Sequence, residues 1–88
     1  MKKEFNFTAV DKRCLGLELA KRRKLMKIRQ IDVADAFGKT RNWLSLIESG
    51  TISISLIDAY HLCEMYNCDL SEVMRVAVET TKEIQGRS

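Results

Sequence analysis

The chain has 88 residues, 45% of them hydrophobic and 31% charged, which is room for one globular domain with a single modest core. With no Pro and only four Gly, the composition argues against a turn-rich all-β fold and for helices. The formal net charge of +3 is unevenly divided, since residues 1–50 carry twelve Lys or Arg against six Asp or Glu and residues 51–88 carry three against six; the basic half suits a polyanion, or else is a solvated face.

Residues 1–10 are expected as a short N-terminal arm. Lys2 and Lys3 are followed by "EFNFTAV", too short and too polar for the apolar core of a signal peptide. No run in the chain approaches the length of a membrane span, and a cytoplasmic location is expected. Phe5 and Phe7 are expected to dock on the bundle or on a partner subunit, and the two lysines are candidates for a basic arm that reaches a polyanion. The domain itself is expected over 11–79, with 80–88 as the end of the last helix and a tail that frays at "QGRS".

The first helix is expected in "KRCLGLELAKRRKLM", capped by Thr8 or Asp11, with Leu15, Leu19 and Met26 inward. The second is "RQIDVADAF", with Ile31, Ala34 and Phe37 repeating every three residues, Val33 beside them, and Gly38 just past its end. The third opens at Thr40 as N-cap, turns Leu44 and Ile47 inward and stops before Gly50. Two short helices joined by a brief glycine-containing turn suggest a helix-turn-helix.

After the extended "TISIS", Ser55 caps "LIDAYHLCEMYN". Only Asp58, His61 and Glu64 interrupt its apolar character, so this helix wants burial on more than one side. A second copy of the chain is the simplest cover for the outer side; full enclosure within a monomer is the alternative. Cys14, Cys63 and Cys68 are odd in number and read as thiols rather than a disulfide framework. His61 and Cys63 are two apart on a helix and point to different faces, which does not suit the four convergent ligands of zinc. The fifth helix starts at Asp69, with Glu72 completing a capping box. Its stripe is Leu70, Val73, Met74, Ala77 and Val78.

From Leu15 to Met74 the chain resembles the lambda-repressor-like, Cro/CI-type (XRE) helix-turn-helix domains. The matching pieces are "LG…LAKRR", "RQIDVADAFGKT", "LSLIESG" and "SLIDAYHLCEMYNCDLSEVM". The resemblance implies an all-α, five-helix lambda-repressor-like bundle that binds operator DNA, usually as a homodimer. Helix two would cross the phosphate backbone and helix three would enter the major groove N-terminus first.

On that reading the outward positions of helix three are the candidate base readers: Arg41, Asn42, Ser45, Leu46 and Ser49. Arg donates twice to guanine O6 and N7, Asn pairs with adenine N6 and N7, and Leu46 suits a thymine methyl. Arg41 has a plainer alternative as a phosphate anchor. Candidate phosphate contacts are Arg29, Gln30, Lys39, Thr40, Trp43 and Ser53, with Gln30 and Thr40 at helix starts where backbone N–H groups are free. Lys39 departs from the family, which usually has an apolar residue there. Trp43 is expected at the rim, bracing helix three against the start of helix four with its indole N–H toward a phosphate; plain core packing is the alternative.

The family pairs a glutamate at the Glu48 position with an arginine late in helix one, here Arg23, implying a partly buried structural ion pair. A Pro is common in the family where Ile54 stands. Ile52, Ile54, Ile57 and Met65 are the candidate dimer seam. The expected function is that of a sequence-specific regulator of transcription: a homodimeric repressor, often of its own gene, on a palindromic operator. An antitoxin, a restriction–modification controller, or a protein-interaction module that has lost DNA binding are the alternatives. With one His, no Gly-rich phosphate loop and no triad-like set, no reaction is assignable. No enzyme activity, cofactor, metal or small-molecule ligand is expected.

Overall fold

The computed structural model describes residues 7–86 as five helices: α1 (Lys12–Leu25), α2 (Gln30–Ala36), α3 (Arg41–Glu48), α4 (Leu56–Met65) and α5 (Leu70–Gln85). The expectations for Lys2, Lys3 and Phe5 fall outside the described residues. No helix among the described residues is long and apolar enough to cross a membrane.

Short polar side chains start four of the five helices. Asp11, Thr40, Ser55 and Asp69 each accept a hydrogen bond from a backbone N–H in the first turn of their helix, satisfying donors that the helix itself leaves unpaired. Asp11, not Thr8, therefore caps α1. The cap of α2 is Arg29, which makes no side-chain capping bond.

The four turns between helices share one design. Lys27, Gly38, Gly50 and Asn67 have positive φ of 58°, 63°, 75° and 52°. In each case the following residue's N–H reaches back to a helix carbonyl: Ile28 to Arg23 (3.4 Å), Lys39 to Ala34 (2.9 Å), Thr51 to Leu46 (2.9 Å) and Cys68 to Cys63 (2.9 Å). This is the Schellman arrangement, which ends a helix and reverses the chain in very few residues.

Leu19, Val33, Leu44, Ile47, Leu62, Cys63, Tyr66 and Val73 form the core, so all five helices contribute. Gly16 lets α1 approach α3, since a Cβ there would lie 2.2 Å from the carbonyl oxygen of Ile47 and 2.8 Å from that of Glu48. Glu18 is buried and accepts from Arg22 at 2.8 Å, and Arg22 reaches on to Glu72 of α5 at 3.4 Å. At the chain's entry, the Asp11 N–H donates to Thr81 Oγ1 (3.1 Å), and that buried hydroxyl donates to the Ala77 carbonyl (2.7 Å).

Several sequence expectations are corrected here. Met26 and Ile31 are exposed rather than inward, because α1 ends at Leu25 and because the buried stripe of α2 runs through Val33 and Ala34. Glu72 closes no capping box; its carboxylate lies toward Arg22, and the Ser71 hydroxyl donates to Asp69 instead. Phe7 is 82% exposed and does not dock on its own bundle.

Gly16→Ala is expected to destabilise the domain by about 2 kcal/mol or more, because backbone carbonyls cannot yield as a flexible side chain can. Gly38→Ala meets nothing within 4 Å and is expected to cost only about 1 kcal/mol for its positive φ. Urea denaturation of the two variants checks the order.

Candidate nucleic-acid interface

The helix-turn-helix is built from α2, the turn at Gly38–Thr40 and α3. Thr40 is the hinge of this unit: its Oγ1 accepts from the Trp43 N–H at 3.2 Å, fixing where α3 begins. Position in the first turn then projects Arg41 and Asn42 outward, and both are exposed. Ser45 stands one turn on, half-buried, and Arg41, Asn42 and Ser45 together line a shallow concavity of about 180 Å³. These three expected readers are therefore contiguous. Leu46 is half-buried further along the helix, and Ser49 lies at its C-terminal end. The Ser49 hydroxyl donates to the Leu46 carbonyl (3.1 Å) and shares a 2.8 Å hydrogen bond with Thr51 Oγ1.

Arg23 of α1 holds α3 in place. Its Nε and Nη2 donate to Glu48 Oε2 at 2.7 Å and Oε1 at 3.0 Å, a bidentate pair with side chains 10% and 7% exposed. Its Nη1 donates to the Ile28 carbonyl at 2.8 Å, inside the turn between α1 and α2. The hydrogen bonding to Glu48 raises Arg23 above the ordinary arginine range, against the opposing effect of burial. Burial likewise raises the Tyr66 phenol, with the Glu48 charge adding to it. Tyr66 packs in the same core and its hydroxyl makes no hydrogen bond.

The pair does not end at Glu48. Gln30, the first residue of α2, donates from Nε2 to Glu48 Oε1 at 2.8 Å, and its Oε1 accepts from Arg41 Nε at 3.3 Å. A single chain of side chains thus runs Arg23–Glu48–Gln30–Arg41, from α1 through α3 and α2 to the first residue of α3. In this structure the Gln30 carboxamide is spent inside the protein at both ends, and what α2 offers outward is its uncapped backbone N–H groups. Sequence reasoning missed this bridge, because Gln30 and Glu48 meet only when α2 and α3 are packed. Its one visible signal was a carboxamide at a helix start opposite an acidic residue that already lacked an obvious place beside a polyanion.

The remaining phosphate candidates are disposed as follows. Arg29 is exposed and bidentate to Asp32, with Nε at 2.8 Å and Nη2 at 3.0 Å; the pairing raises the arginine and lowers the carboxyl. Lys39 is exposed, with Nζ 6.0 Å from the centre of the Trp43 ring. Trp43 is half-buried against Phe37, ring centres 5.6 Å apart, and packs on the core cluster, so it braces α3 against the end of α2. Ser53 is exposed in the loop after α3. Of the candidate seam residues, Ile52, Ile54 and Met65 are half-buried against this chain's own core, while Ile57 is exposed beside Leu56 and Tyr60.

The cysteines lie away from this face. Cys63 is buried, and burial with the nearby Cys68 pushes its thiol up to about 12. His61 is exposed, with Nδ1 3.0 Å from Glu64 Oε1.

A model of the helix-turn-helix family matches residues 19–73, and the chain belongs to that family, within its XRE type. Two crystal structures of the clp gene regulator ClgR from Corynebacterium glutamicum share the fold. One aligns with a TM-score of 0.80 at 17% identity, over 92% of this chain and 86% of that one. The other aligns with a TM-score of 0.73 at 19% identity, over 82% and 94%. Among curated proteins, none matches the sequence.

Arg23→Ala is expected to lower stability by about 3 kcal/mol or more, since it strands the buried Glu48 carboxylate. The double variant Arg23→Met, Glu48→Leu is expected to recover most of that loss, because it removes both charges together. Melting temperatures of the three proteins decide between a structural pair and an idle one.

Proposed function

We propose that this helix-turn-helix protein is a homodimeric, sequence-specific regulator of transcription, a repressor that reads a palindromic operator in the major groove. The single observation that carries the reading is the exposed pair Arg41 and Asn42 in the first turn of α3, beside Ser45 in one concavity. That end of the helix is capped from within by Thr40, so both long side chains remain available for base edges.

In this reading Arg41 donates to guanine O6 and N7, and Asn42 pairs with adenine. Ser45 adds a less selective hydroxyl, with Leu46 and Ser49 further along. Gln30 serves as the positioning group for Arg41, because its Oε1 orients the guanidinium through Nε. Phosphates are bound by Lys39, Thr40 and Ser53, by the free N–H groups at the start of α2, and by the edge of Trp43. Arg29 joins them by exchanging Asp32 for phosphate, which is cheap because an exposed ion pair contributes only about 0–1 kcal/mol.

The dimer forms through α4. Leu56, Ile57 and Tyr60 are 76%, 69% and 52% exposed and follow one another at i, i+1 and i+4, which brings them onto one face. Large apolar side chains so grouped mark an interaction surface. A two-fold axis through α4 sets the two α3 helices roughly one helical turn of DNA, about 34 Å, apart, or a multiple of it.

On random duplex DNA the affinity is expected to fall steeply with salt, with a log–log slope of about −0.9 per phosphate neutralised. Selection of bound duplexes from a random pool is expected to return an inverted repeat. Arg41→Ala should cost about 1–3 kcal/mol at one base pair and leave the salt slope nearly unchanged; equal weakening on every sequence would make Arg41 a phosphate anchor. Ile57→Glu is expected to raise the dimer dissociation constant at least tenfold in sedimentation equilibrium while the thermal unfolding of the monomer persists.

A further inference from the structure

Behind the C-terminal end of α3 lies a cavity of about 130 Å³ that opens to solvent. Its walls are aliphatic side chains from three helices and the loop after α3, Leu15, Ile47, Ile54 and Met74 among them, and its remaining lining includes Lys12 and Ser53. Lys12 and Ser53 are exposed, so the polar groups stand at the mouth and the apolar ones inside. An apolar cavity of about 150 Å³ in a protein core stays dry and takes up benzene, so this one has room for a single ring or a chain of about six carbons.

The mouth decides the class of guest. Lys12 Nζ donates to the Thr51 carbonyl at 3.4 Å, which holds the ammonium over the loop and leaves two of its three N–H donors for a ligand. The neighbouring carboxylate, Asp11, is already bound by Arg13 at 2.8 Å and 3.2 Å, so it does not satisfy Lys12. The Ser53 hydroxyl stands on the same rim. An apolar pocket with a few convergent polar groups is the usual form of a small-molecule site.

We infer that this cavity binds a small apolar monocarboxylate, with its ring or short chain among Leu15, Ile47, Ile54 and Met74 and its carboxylate on Lys12 and Ser53. The site departs from the sequence expectation of no small-molecule ligand. Binding itself is independent of the DNA reading. Its consequence rests on that reading: Ser53 is one of the proposed phosphate contacts, and a bound anion both occupies its hydroxyl and adds negative charge, so ligand and DNA oppose each other reciprocally.

The test uses the full chain with sodium benzoate at 10 mM, sodium chloride at equal ionic strength, and benzyl alcohol as the uncharged analogue. Benzoate is expected to shift the methyl resonances of Ile47, Ile52 and Ile54 and to raise the melting temperature by about 5 °C. Benzyl alcohol is expected to bind more weakly. Lys12→Met, at an exposed position, is expected to lower benzoate affinity at least tenfold while leaving that for benzyl alcohol unchanged. The inference is overturned if benzoate does no more than chloride, or if the alcohol binds as well as the acid. Benzoate is further expected to weaken binding to a random duplex at constant ionic strength. Methyl shifts with no such loss overturn the competition, whereas a chain that takes benzoate but no DNA sinks the regulator reading and leaves the site standing.

Discussion

The bidentate contact between Arg23 and Glu48 is the constraint on which the exposed face of α3 depends. Both side chains are almost wholly out of water, and taking two charges out of water costs several kcal/mol each before their attraction and hydrogen bonds offset it. Such a pair contributes little net stability over a well-packed apolar substitute. What it contributes is direction. Glu48 can satisfy its two oxygens only with α3 turned one way against α1, and Arg23 can satisfy its third contact only with the Ile28 carbonyl in place. Gln30 then donates to Glu48 Oε1, which fixes its carboxamide, and its own Oε1 accepts from Arg41 and so passes the constraint on. The exposed guanidinium at the tip of α3 is thereby oriented by groups that begin on a different helix.

Backbone chemistry supplies the frame in which that chain of contacts is possible. Four turns of one kind, each with a left-handed residue and a bond back to the helix it leaves, redirect the chain so that α2 packs on α3, α4 on α5, and α1 on both α3 and α5. The absence of a side chain at Gly16 then allows α1 to lie directly on the carbonyl end of α3. A longer turn or a larger residue would separate Arg23 from Glu48, and a buried carboxylate without its partner is far more costly than an exposed one. The tight turns, the small residue and the ion pair are one requirement expressed at three places.

Much of this was legible in the sequence because it is local. Asp11, Thr40, Ser55 and Asp69 announce helix starts through the hydrogen bond that a short polar side chain can make to its own first turn, and Gly38 and Gly50 announce ends through the φ that other residues resist. The stripe of α5 was legible for the same reason. Periodicity failed where it had to say whether a face was covered. Met26 and Ile31 obey the helical repeat and are exposed, since repetition specifies a side of a helix and not what lies against it. Glu72 has the spacing of a capping box, yet Arg22 on α1 competes for its carboxylate; a tertiary charge outweighs a weak local bond. Gln30 was placed on the right element without its partner Glu48, and Trp43 without Phe37, because each contact crosses the interface between α2 and α3.

The apolar character of α4 shows how far such reading can go. Its sequence called for two covered sides, and the domain covers one: Ala59, Leu62 and Cys63 are buried while Leu56, Ile57 and Tyr60 stay in water. The loop before it has the opposite allocation, with Ile52 and Ile54 turned into the protein and Ser53 turned out. Alternation of that kind pins an extended segment through the burial of every second side chain, so the loop cannot slide without exposing both isoleucines. One five-residue segment therefore fixes the start of α4 relative to the end of α3. The exposed face of α4 and the cavity behind the loop are both tied to α3 by this short and doubly anchored connection, the cavity also through Ile47 of α3 itself.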